Sequence, residues 1–303
     1  MHVADRLQDS IDRTASVACV GLDPRPGLIP PALARAALDR HGDTREAVAD
    51  AFLAFNRGLI DAIAGRCAAV KPQAACYEAY GPAGMRALEA TVAHARGRGV
   101  PVIMDAKRGD IGSTAEHYQQ AWLGAAPGLG GAQLPGAGAD WLTINGWLGE
   151  DGVRPFLGAP PSAAGVFVLV KTSNPSSGDL QDVRLDGGSV ADAMARLVSS
   201  WGGGHLGRAG LSAVGAVVGA TYPDQARRLR ALMPDTVFLV PGYGAQGGSA
   251  RDALAGARAD GRGIIVSSSR AIIGAWQKAG GEDWAAAARA ALDEMNRDLA
   301  GAR

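Results

Sequence analysis

Lysine is the scarce residue of this chain. It occurs only at Lys71, Lys107, Lys171 and Lys278, while lysine and arginine together number 30 in 303 residues. Arginine meets almost every need for positive charge. A retained lysine therefore points to its own chemistry, a compact ammonium that can give up a proton where a guanidinium effectively cannot. Cysteine is scarce too. Cys19, Cys67 and Cys76 form neither a metal-ligand spacing nor an even disulfide set, so a reducing cytoplasm is the expected compartment. Cys19, inside an apolar run, reads as a small buried hydrophobe. Charge of one sign is not in excess: acids also number 30, the pI is about 7.0, and there is no Lys/Arg block. A nucleic-acid surface is not expected. No uninterrupted apolar stretch reaches transmembrane length, and the charges of Asp5, Arg6, Asp9 and Asp12 argue against a secretory signal.

What the chain does have is 47% apolar residues, enough for one large core. Eight short β-branched runs recur, at 17–22, 68–70, 102–104, 141–144, 166–170, 213–218, 237–240 and 263–266. Helix-like stretches lie between or after them, at 45–63, 85–96, 114–122, 148–156, 189–199, 224–232, 250–258 and 283–299. Alternation of this kind implies βαβ units and a parallel sheet. Runs that are apolar throughout suit strands covered on both faces. Eight units in this length predict an α/β fold, a (β/α)8 TIM barrel forming a single domain over residues 1–303. A doubly wound open sheet is the alternative. Three segments read as long irregular loops, at 24–43, 123–140 and 173–188. The first and third fall on the face where barrel enzymes keep their sites.

Polar residues recur where the apolar runs stop. Asp23, Lys71, Asp105 with Lys107, Asn145, Lys171 to Asn174, Thr221, Gly242 to Gln246 and Ser267 to Arg270 all follow such runs. In a barrel these ends converge on one mouth, and three of the four lysines are among them. Each has a plainer reading. Asp110 could cap the next helix, Asp23-Pro24 could be a turn, and Lys171 could be a solvated strand end. Lys71, Lys107, Asp105 and Asp110 are harder to dismiss, because two cations and two acids compensate one another. The loop 241–248 is Gly-rich and lets backbone N–H groups approach an oxyanion. Ser267-Ser268-Ser269-Arg270 adds hydroxyls and a forked guanidinium. Loops after strands seven and eight are the usual phosphate position of this fold.

Taken together, Val20-Gly21-Leu22-Asp23, Val70-Lys71-Pro72-Gln73, Met104-Asp105-Ala106-Lys107-Arg108-Gly109-Asp110-Ile111-Gly112-Ser113-Thr114, Lys171-Thr172-Ser173-Asn174-Pro175, Val240 to Gln246 and Ser268-Ser269-Arg270 resemble the orotidine 5′-phosphate decarboxylase family, in its longer type 2 branch. The resemblance implies decarboxylation of orotidine 5′-phosphate to uridine 5′-phosphate and CO2 in pyrimidine biosynthesis, with no cofactor and no metal. It implies that Lys71, Asp105, Lys107 and Asp110 form a charged tetrad. Within it, Lys107 protonates C6 and Asp105 lies beside the departing carboxylate. Asp110 crosses a homodimer interface into the partner's site. Asp23 and Lys71 are implied for the ribose hydroxyls with Thr114 nearby, Ser173 for the pyrimidine edge, and Gln246 and Arg270 for the phosphate. Many shorter members carry glycine before the phosphate-binding arginine, where this chain has Ser269. Lys171 has no place in the implied catalytic set. Three other readings remain. They are a metal-dependent sugar-phosphate lyase or epimerase, disfavoured by Lys71 standing where that class puts a carboxylate, a Schiff-base aldolase using Lys171, and a non-catalytic phosphate-binding barrel.

Overall fold

A computed structural model describes residues 1–158, 162–244, 247–280 and 283–303. All eight expected strands are present: β1 (Ala18–Leu22), β2 (Ala69–Pro72), β3 (Ile103–Arg108), β4 (Trp141–Ile144), β5 (Gly165–Lys171), β6 (Val214–Val218), β7 (Phe238–Val240) and β8 (Ile264–Ser268). Every residue of β1, β2, β4, β6, β7 and β8 is buried, as strands between a helical layer and a packed interior require. They run parallel in the order β2-β1-β8-β7-β6-β5-β4-β3. Two isolated parallel bridges, Val70 with Val102 and Gln73 with Asp105, join β2 to β3 and close the circle. The chain is an eight-stranded barrel, not an open sheet. Burial along β3 fades from Ile103, Met104 and Asp105 to the exposed Lys107, so this strand carries its charges out of the core.

The helices differ from expectation where glycine and proline intervene. Helix Arg45–Ile63 has the expected bounds, and the Thr44 side chain caps it by accepting the Ala47 N–H. The segment 148–156, expected as helix, is two 3-10 turns, Glu150–Gly152 and Arg154–Phe156. Gly149, with φ of 78°, and Pro155 break the regular pattern. The helix expected at 250–258 stops at Leu254. Gly256 follows, and a Cβ there would meet the Phe238 ring at 2.7 Å. The 24–43 segment is not an irregular loop: Pro31 opens a helix, Pro31–His41, that ends at Gly42. The 123–140 segment carries an antiparallel pair, Ala125–Pro127 with Gln133–Pro135. The 173–188 segment folds into a 3-10 turn, a one-turn helix Gly178–Gln181 and part of a small strand pair. An unexpected helix, Val3–Thr14, packs Leu7 and Ile11 beside Leu211, Val237 and Ile264 at the strands' N-terminal ends. That closes the barrel's bottom and leaves the mouth for chemistry.

Candidate active site

The strands' C-terminal ends enclose a cavity of about 420 Å³. Asp105 is its centre. Its Oδ2 accepts from Lys71 Nζ at 2.7 Å and Gln73 Nε2 at 3.1 Å. Its Oδ1 accepts from Lys107 Nζ at 2.5 Å and Thr143 Oγ1 at 2.9 Å. Burial pushes the Asp105 carboxyl up, yet the charges of Lys71 and Lys107 and their hydrogen bonds hold it well below the ordinary carboxylate range. Burial would likewise lower Lys71, but Asp105 and Asp23 raise it above the usual lysine value. Both groups are therefore ionised at neutral pH. The two lysines differ in access: the Lys71 side chain is 8% exposed, that of Lys107 47%. The first is a fixed counter-charge, and the second is a cation that reaches both the cavity and solvent.

Lys107 takes its position from a distorted strand. Its φ is 48°, and Ala15 is the other non-glycine residue with positive φ among the described residues. Opposite β4, β3 advances from Met104 to Arg108 while β4 advances only from Leu142 to Ile144. The surplus residues bulge, and such bulges re-aim side chains beside active sites. Thr143 Oγ1 holds the bulge by accepting the N–H groups of Ala106 and Lys107, at 3.0 and 2.9 Å. Arg108, ion-paired to Glu78, lies against the rings of Tyr118 and Trp122. It thus ties the helix after β2 to the end of β3. Sequence reading missed Thr143. The signal available was a lone hydroxyl in the apolar run Trp-Leu-Thr-Ile. Gln73 stood inside a quoted motif without a role, and Arg25, which also lines the cavity, was not singled out.

The opposite wall comes from the ends of β7 and β8. Gly242, with φ of 99°, lines the cavity, while Gly244, at 68°, turns the loop and donates its N–H to the Gly248 carbonyl at 2.9 Å. Ser267, Ser268, Ser269 and Arg270 line the cavity beside Gly242. A Cβ on Gly21 in β1 would lie 1.8 Å from Ser269 Oγ and 2.7 Å from its Cβ, so glycine there makes room for this turn. Tyr243 donates to Asp298 Oδ2 at 2.6 Å, fastening the loop to the C-terminal helix Trp284–Gly301. Asp23 and Ser173 complete the lining. Asp23 Oδ1 is buried without a partner among the described residues. An acid–lysine cluster faces a hydroxyl- and glycine-rich anion cradle across one small chamber.

Comparison with known proteins settles the ancestry. Residues 18–282 match the model of the family described as "Orotidine 5'-phosphate decarboxylase / HUMPS family". The chain belongs to this family. It is 45% identical to the orotidine 5′-phosphate decarboxylase of Rhodopirellula baltica over 99% of this chain and 100% of that protein. It is 44% identical to that of Haloarcula marismortui over 92% and 89% of the two chains. Among solved structures, the OMP decarboxylase of Leishmania donovani superposes with a TM-score of 0.76 at 32% identity, covering 100% of this chain and 98% of that one.

Measured against the family's implied site, the fold gathers Asp23, Lys71, Asp105, Lys107, Ser173 and Arg270 in one cavity. Asp110 is not with them. It is half-buried, does not line the cavity, and among the described residues accepts only the N–H of Ile111, at 2.8 Å. It is not a helix cap either, since Ile111 occupies the N-cap of helix Gly112–Trp122 without a side-chain bond. Thr114 is exposed on that helix, away from the cavity. Gln246 lies outside the described residues. Lys171 is neither a solvated strand end nor a cavity lysine: it is fully buried and paired with Asp182. That geometry removes the footing of the Schiff-base reading. Among the described residues, no group of three or more His, Cys, Asp and Glu side chains is placed to hold a metal ion.

Proposed function

We propose that the chain performs its family's named reaction without a cofactor, with Lys107 delivering the proton to C6 of the pyrimidine. Family, full-length relatives and barrel agree on a carboxy-lyase of pyrimidine biosynthesis acting on orotidine 5′-phosphate. One observation carries the mechanism: a single carboxylate, Asp105, held between two ammonium groups at 2.7 and 2.5 Å. The phosphate binds at the glycine loop after β7 and at Arg270, with Gln246 assigned the same task. Asp23 and Lys71 take the ribose hydroxyls, and Ser173 the pyrimidine edge. The substrate carboxylate then lies beside Asp105. The C6–carboxylate bond breaks, CO2 leaves, and the electron pair stays on C6. Lys107 already points its charge there, so the pair is stabilised as it develops, without reorganisation. Nζ–H gives C6 its proton, and the neutral amine recovers one from solvent.

Asp110 belongs to the same proposal. It does not line its own cavity, and Ile111 next to it and Trp147 in the loop after β4 are 54% and 65% exposed. Apolar surface of this kind suits a second copy of the chain, and a two-fold dimer would bring each Asp110 to the other's Lys107 with Thr114 alongside. No helix among the described residues is long and apolar enough to cross a membrane, and we place the reaction in the cytoplasm. The test is the loss of absorbance of orotidine 5′-phosphate with excess chelator present. A stable signal would end the decarboxylase reading. Lys107→Arg should lose at least about 100-fold in kcat, the lower range for a positioned proton donor. Full activity in that variant would remove Lys107 from the role.

A further inference from the structure

Lys171 is the one strand-end lysine outside this scheme. Its side chain is 0% exposed. Along β5, Leu169 and Lys171 pair with the adjacent residues Val217 and Val218 of β6, so Val170 is an extra residue. The extra residue breaks the alternation that Phe167 and Leu169 begin, and Lys171 leaves their row. Its Nζ reaches Asp182 Oδ2 at 2.8 Å and sits 4.3 Å from the centre of the Tyr222 ring. Gln225 holds the other Asp182 oxygen at 3.1 Å. Asp182 ends the segment that starts at Thr172, so the pair clips both ends of that loop together. The neighbouring residue repeats the tie: Gln181 Oε1 accepts the Thr172 N–H at 2.9 Å, and Gln181 Nε2 donates to Thr172 Oγ1 at 2.9 Å. From the other side, Gly219 donates its N–H to the Lys171 carbonyl at 2.8 Å. A Cβ on Gly219 would meet Ser173 Cβ at 2.9 Å and its Cα at 3.0 Å. Ser173 is thus packed directly between the clip and the end of β6, with its face to the cavity.

We propose that Lys171 is a positioning residue: its pairing with Asp182 latches the 172–182 loop so that Ser173 is held at the pyrimidine edge. The inference rests on the decarboxylase reading of the cavity. A buried ammonium is costly unless its partners are well placed, and here Asp182 and the face of Tyr222 supply them.

The test is a double-mutant cycle of Lys171→Met and Ser173→Ala, read as kcat and KM for orotidine 5′-phosphate. Ser173→Ala removes one neutral hydrogen bond and should lower kcat/KM about 2- to 10-fold. Lys171→Met should produce a loss of the same size, and the double variant should fall no further than the worse single. Amide hydrogen exchange over 172–182 should speed up in Lys171→Met. Unchanged kcat/KM in Lys171→Met, or losses that multiply in the double variant, would overturn the latch. A merely structural lysine would lower the folded fraction, and losses so caused would not depend on whether Ser173 is present. Where Lys171→Met does not fold, Asp182→Asn cuts the same pair from its 40% exposed end and takes its place in the cycle. Wild-type turnover is measured first. Its absence would sink the decarboxylase reading itself, whereas turnover with multiplying losses would sink only the latch.

Discussion

At the scale of single residues, the left-handed backbone of Lys107 leads to an inverted stability order. A side chain at φ of 48° costs about 1 kcal/mol that glycine does not. Lys107→Gly should therefore be more stable than Lys107→Ala by about that amount, opposite to the usual ranking, while both are inactive. Equal or reversed urea midpoints would show that the bulge relaxes on its own. Asp105 makes a second prediction. Its folded-state carboxyl is lowered, so its contribution is complete above the ordinary unfolded value of about 4 and is lost as pH falls through the lower folded one. Urea midpoints measured from about pH 6 to about pH 2 should fall in the wild type, and less steeply in Asp105→Asn. Parallel slopes would mean that Asp105 is not the titrating group. The charged residues of this site were legible because charge at the end of an apolar run has few structural excuses. Thr143 was not, because one hydroxyl in a strand is an ordinary core residue until its neighbours' N–H groups are seen to converge on it.

At the scale of elements, close packing of β1 under the anion cradle sets what a single methyl group can do. Gly21→Ala would drive a Cβ into Ser269, whose own Cα stands only 3.2 Å away. The turn carrying Ser269 and Arg270 must then move. The expected outcome is a KM raised severalfold with a smaller change in kcat, since in the proposed scheme the cradle binds the remote phosphate rather than the reacting carbon. A kcat loss with KM unchanged would contradict that division. Period and composition marked the eight strands and most of the long helices. They failed at 148–156, where apolar spacing mimicked a helix that Gly149 and Pro155 do not allow, and at 31–41, where prolines at the start of a helix read as loop. Helix Val3–Thr14, whose acids argue only against a signal sequence, precedes the first strand and so lies outside the strand–helix alternation. Two of those acids are in fact anchored: Asp5 accepts the N–H groups of Arg208 and Ala209, and Asp9 pairs with Arg208.

At the scale of the whole molecule, the proposed dimer, with Asp110 in the partner's site, would make activity a property of the assembly. Lys107→Ala and Asp110→Ala chains, each inactive alone, should on mixing regain about a quarter of wild-type activity, because half of the random dimers are hybrid and each hybrid holds one intact site. No recovery in hybrids verified by native mass spectrometry would put Asp110 outside the partner's site. Nothing in the sequence pattern alone could have given this. A residue that works in another copy is invisible to the periodicity of its own strand. The way the barrel closes has a consequence of its own. β2 and β3 meet through two isolated bridges, and across that joint Asp105 also grips Lys71 and Gln73. This narrow joint is thus made partly of the charges assigned to the reaction. A barrel that parts along this line separates the two ammonium groups at once, so catalytic output is itself a gauge of whether the cylinder is shut.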